Sequence, residues 1–145
     1  MSQRITERTA FTHLLTAADV AGSSTKSSLL DTKGFMQAAI IVTMGVLTGV
    51  GASNYFTPTL EDSDTTADTD FVAVAAGLQT GNFARCDSTG KASKTYVAGY
   101  KGQKRYIRLN FIVTGTITAS IVAAIGMVGS ARNEPAVAPA AVAAT

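Results

Sequence analysis

The chain has 145 residues, 46% hydrophobic and 15% charged, with 13 glycines and 3 prolines, which is the length and composition of one globular domain. Its 12 Lys and Arg nearly balance 10 Asp and Glu, so overall charge supplies no strong attraction to nucleic acid or to an anionic membrane. Cys86 is the single cysteine, which excludes an intrachain disulfide and a zinc site built from several thiolates.

The opening residues MSQRITERTAFTH lack a basic region followed by an apolar run and a small-residue cleavage site, so no secretory signal and a reducing cytoplasm are expected. Phe11, Leu14, Leu15 and Ala18 fall at helical spacing. They predict a short amphipathic helix over residues 7–18, or an arm that orders only against a partner. The polar run AGSSTKSS at 21–28 predicts a loop.

From Leu29 onward, short apolar runs are separated by turn residues, the pattern of an all-β sandwich or barrel. Strands are predicted over 35–44, 55–61, 71–75 and 95–100, with an acidic loop before Phe71 and a polar connection over 79–91. The sharpest alternation follows: Ile107, Leu109, Phe111 and Val113 are apolar, while Lys104, Tyr106, Arg108 and Asn110 alternate with them. Lys101-Gly102-Gln103 before this strand predicts a tight hairpin connection, and Thr114-Gly115 a turn or bulge. The apolar odd positions resume with Ile117, Ala119, Ile121, Ala123, Ile125 and Met127. Val122, Ala124 and Val128 are apolar too, which predicts burial on both faces, inside a sandwich or beneath another subunit.

The apolar stretches 35–50 and 111–128 raise the question of a membrane span. The first is shorter than the roughly 20 residues a spanning helix needs, and both are rich in β-branched residues and interrupted by Gly, Thr and Ser. Strands are therefore expected, and no membrane partner. The C-terminal EPAVAPAAVAAT has no polar face and two prolines, and predicts an extended tail that dangles or lies in a neighbour's groove. The expected organisation is an N-terminal arm at 1–28, a β domain at 29–133 and a tail at 134–145.

No constellation carries an enzyme's chemistry. Glu61, Asp62, Asp64, Asp68 and Asp70 offer oxygen ligands, but the glycine and glutamate that an EF-hand loop needs at its sixth and twelfth positions are missing. A solvated acidic loop answering a basic patch is expected instead. The basic residues Lys91, Lys94, Lys101, Lys104, Arg105 and Arg108 interleave with Tyr96, Tyr100 and Tyr106, a pattern able to hold single-stranded nucleic acid. A polar strand face paired with acidic loops, within the chain or across a subunit boundary, accounts for it better. His13 is the only histidine and has no nucleophile motif near it; Arg85 beside Cys86 does not make that thiol a reactive one. Gly45, Gly49 and Gly51 do not form a dinucleotide fingerprint. No cofactor, metal or nucleic-acid partner is expected.

Leu30-Asp31-Thr32-Lys33-Gly34-Phe35, Leu60-Glu61-Asp62-Ser63-Asp64, the run from Val97 through Gly99-Tyr100-Lys101-Gly102 to Arg108, and Thr114-Gly115-Thr116 occur in that order. Together they resemble the small head proteins of tailed bacteriophages, the capsid decoration or cement proteins, over residues 29–135. The resemblance implies a β-sandwich or jelly-roll-like domain that assembles, often as a homotrimer, on the capsid exterior and clamps neighbouring subunits of the major capsid protein. It implies a virion component made in the host cytoplasm. On that reading Phe11, Leu14, Leu15, Val137 and Val142 contact neighbours, and Glu61, Asp62 and Asp64 pair across a subunit boundary with Lys104 and Arg105. The alternatives are another virion part (head completion, tail or fibre-associated) and a glycan-binding module in which Tyr96, Tyr100 and Tyr106 stack on sugars.

Overall fold

Alternation of apolar and polar residues with turns between them leads to strands that bury one face, and two such sheets must cover each other. The computed structural model describes residues 9–131 apart from 82, and the chain there is an antiparallel β-sandwich. Its strands are β1 (Thr9–Asp19), β2 (Thr25–Lys26), β3 (Leu30–Asp31), β4 (Phe35–Thr48), β5 (Tyr55–Ser63), β6 (Val72–Ala73), β7 (Gln79–Thr80), β8 (Thr95–Tyr100), β9 (Tyr106–Thr114) and β10 (Ala119–Ala131). The first sheet runs β1-β10-β4-β8-β7; the second runs β2-β9-β5-β6, with β3 also paired to β9.

The core lies between the sheets. Ile40, Val42, Met44, Val122, Ala124 and Val128 of the first face Phe56, Leu60, Ile107, Leu109 and Phe111 of the second, all buried. The Phe56 and Phe111 rings meet at 6.2 Å in a tilted arrangement. At Gly126 a Cβ would stand 2.9 Å from both Leu30 methyl groups, so the sheets approach each other there over a bare backbone. Pro58 is tolerated inside β5 because β6 pairs only with Glu61 and Asp62, which leaves Pro58 on an open edge.

The strand expected over 95–100 is β8 with the same ends, and those expected from Phe35 and Tyr55 extend to Thr48 and Ser63. Of the strand expected over 71–75 only β6 forms. Four expectations need correction. Residues 9–19 are a strand rather than a helix or a detached arm: β1 pairs antiparallel with β10 from Thr9 to Asp19, and Ala10, Thr12 and Leu14 face the core. Thr12 on the inward face disguises the period of two. In β10 the buried positions are the even set, Ser120, Val122, Ala124, Gly126 and Val128, although Ile117 before the strand is buried. The loop after Gly115, whose φ of 72° only glycine adopts easily, restarts the alternation with opposite parity. Lys101-Gly102-Gln103 is not a hairpin, since β8 and β9 belong to different sheets and the segment crosses between them. Finally, Glu61 and Asp62 are buried members of β5 rather than part of a solvated loop. No helix among the described residues is long and apolar enough to cross a membrane.

Candidate interaction surface

The two outer faces of the sandwich differ in kind. On the second sheet, Glu61 and Arg108 are directly opposed across β5 and β9, and Arg108 Nε donates to Glu61 Oε2 at 2.8 Å. Asn110 Nδ2 donates to the other oxygen at 2.9 Å. The segment after β5 folds over this pair: Arg108 also donates to Asp68, its guanidinium lies 4.0 Å from the Phe71 ring centroid, and Lys26 Nζ holds Asp68 from the outside at 2.6 Å. Arg108 is 1% exposed as a result. The two cations hold the Asp68 carboxyl below the usual carboxylate range, Lys26 chiefly and then Arg108.

At one end of the sandwich, Tyr100 on the inner face of β8 donates its hydroxyl to Asp62 on the inner face of β5 at 2.7 Å, joining the sheets through a buried hydrogen bond. The Lys104 amide donates to the same hydroxyl at 3.0 Å. Burial, then the Asp62 carboxylate, push the Tyr100 phenol far above its ordinary value. Gly102 leaves room for the ring, since a Cβ there would lie 2.2 Å from the Tyr100 hydroxyl. Lys104 Nζ pairs with Asp64, and this hydrogen bond lowers the Asp64 carboxyl. Arg105 makes a forked pair with Asp31, at 3.1 Å through Nε and 2.8 Å through its terminal nitrogen, while its guanidinium stacks 4.8 Å from the Tyr106 ring centroid. At Asp31 burial pushes the carboxyl up, but the bonds from Arg105 and the Lys33 amide outweigh it and the net shift is downward. Segments 30–35, 60–64 and 97–108 are therefore joined by ion pairs and hydrogen bonds within one chain.

Within the chain, Glu61, Asp62, Asp64, Lys104 and Arg105 already have charged or hydrogen-bonding partners. Leu14 is buried in the core and Leu15 packs against it, so neither is presented to a neighbour; Phe11 is 51% exposed on the outer face of the first sheet. Val137 and Val142 lie outside the described residues. Tyr96 and Tyr100 pack inward from β8, whereas Tyr106 alternates to the outer face of β9, so the three rings form no common platform. An open cleft of about 650 Å³ between the 32–38 segment and the crossover has Lys104 and Arg105 in its lining, both already held by carboxylates. Among the described residues no three His, Cys, Asp or Glu side chains converge as metal ligands. Cys86 is buried, and desolvation pushes its thiol up to about 11, so Arg85 does not activate it; that guanidinium instead forks onto Asp87 and lies over Tyr55.

The outer face of the first sheet has no such cover of ion pairs. Cross-strand register sets out its rows: Phe11, Met127, Ala39, Gly99 and Thr80; then His13, Ile125, Ile41 and Val97; then Ala123, Thr43 and Thr95. These rows contain no Lys, Arg, Asp or Glu. Phe11, Val97 and Ile125 are 51%, 50% and 39% exposed. Soluble monomers seldom leave a contiguous apolar patch of this kind bare.

No family model matches the sequence. No curated protein matches it. Among solved structures, the chain is similar at 14% identity and a TM-score of 0.40 to the Clostridium thermocellum N-terminal endo-1,4-beta-D-xylanase 10B CBM22-1 and GH10 modules complexed with xylohexaose. The likeness covers 91% of this chain and 28% of that one, and at this distance it carries no argument about function.

Proposed function

We propose that this protein is a non-enzymatic structural component of a tailed-bacteriophage particle, which decorates the capsid exterior, associates with copies of itself and clamps neighbouring major capsid subunits. The observation that carries the reading is the set of uncharged, largely apolar central rows on the outer face of the first sheet, a surface suited to packing against protein. Support also comes from the motifs through which the sequence resembles capsid decoration proteins. Three of them, at 30–35, 60–64 and 97–108, meet in one cross-linked end of the sandwich, so the shared residues serve as a scaffold that holds the faces rigid. A protein present in many copies adds multivalent stabilisation to a shell even where each contact is weak.

The test is binding of the purified chain to shells of the phage that encodes it. Saturable binding to expanded shells, and none to immature ones, is expected. A protein that sediments with neither form contradicts the proposal.

A further inference from the structure

We propose that the outer face of the first sheet is the surface on which a second copy of this chain packs, sheet against sheet; the inference rests on the self-association in the functional reading above. A two-fold interface presents the same residues from both sides, so it must tolerate meeting itself. Charged rows would bring like charges together unless they were offset in compensating pairs. The rows from Phe11 to Thr95 carry neither acid nor Lys or Arg, so self-contact has no repulsion of this kind to overcome.

Shape points the same way. Large and small residues are interspersed across the rows, with Ile125, Ile41 and Val97 beside Ala123, Ala39 and Gly99. Side chains from two such faces can interdigitate at the spacing of about 10 Å typical of stacked sheets. The three rows, of five, four and three positions, cover roughly 400 Å² on each side by strand spacing alone, or roughly 800 Å² for the pair, the size of a weak, concentration-dependent interface. The second sheet's outer face offers no equivalent, because residues 68–71 cover its Arg108–Glu61 pair.

The decisive experiment is the mass of the full chain by light scattering over a range of micromolar concentrations, for wild type and for the Val97→Lys/Ile125→Lys variant. Wild type is expected at twice the chain mass. The variant is expected to dissociate at least tenfold more readily, with an unchanged strand-rich circular dichroism spectrum. Ile112→Lys, at a site 42% exposed on the outer face of the second sheet, is the control and is expected to remain dimeric. If the double variant fails to fold, Val97→Lys alone is the measured variant, with the same expectation. A monomeric wild type, a trimer, or a dimer indifferent to the substitutions overturns the inference. So does a monomer that dimerises only after residues 132–145 are removed, which assigns the face to the chain's own tail. Shell binding separates the two levels: a face-paired dimer that ignores shells contradicts the capsid reading alone, whereas a trimer that binds them contradicts only this pairing.

Discussion

Arg108 occupies an even position of β9, where alternation assigns a solvent-facing side chain, yet it is buried beneath Phe71 and held by Glu61 and Asp68. Removing its charge leaves the Glu61 carboxylate buried with only Asn110 to satisfy it. Arg108→Met is therefore expected to destabilise the fold by about 3–5 kcal/mol in urea unfolding. Lys104→Met, at an exposed pair, is expected to change the midpoint little. Equal effects would contradict the account. Tyr100 gives a pH signature. Its phenol is raised in the folded state, so its contribution is complete below an unfolded value of about 10 and is lost as pH climbs beyond it. Tyr100→Phe should cost about 1–3 kcal/mol at neutral pH because Asp62 loses its donor, and the penalty should shrink in urea titrations above pH 10. A penalty independent of pH would show that the hydroxyl does not bridge the sheets. Neither role was legible from the sequence, because Glu61 and Arg108, or Asp62 and Tyr100, become neighbours only when distant segments pair.

Elements whose two faces differ in polarity were legible, and those whose faces match were not. In β9, Ile107, Leu109 and Phe111 on one side contrast with Tyr106 and Asn110 on the other, so the buried set could be assigned directly. In β10 both parities are small or apolar, and hydrophobicity alone cannot fix which side turns inward. For β1, the spacing of Phe11, Leu14 and Leu15 satisfies a helix, while its pairing with β10 outweighs that local preference. Since Ala10, Thr12 and Leu14 contribute to the core and β1 pairs along β10, deletion through Asp19 should abolish cooperative thermal unfolding, monitored by near-ultraviolet circular dichroism. A truncated chain that melts as sharply as the full one would restore the picture of a dispensable arm.

At the scale of the molecule, one outer face is sealed by ion pairs and the other is left apolar. Apolar residues at both parities of the last strand predicted burial on both faces; within the chain only the even set is buried, and odd positions such as Ile125 lie exposed on this second face. The identity of that second surface depends on register, which places Ile125 beside Ile41 and Val97 from strands far apart in the chain. The central claim is that this surface serves a capsid decoration protein, and copy number in purified phage particles, measured by quantitative mass spectrometry against the major capsid protein, tests it most directly. Hundreds of copies, in fixed proportion to the capsid subunit, are the expected result. A handful, or a count matching the six-fold or twelve-fold tail and portal rings, would contradict decoration and assign the protein to head completion or the tail.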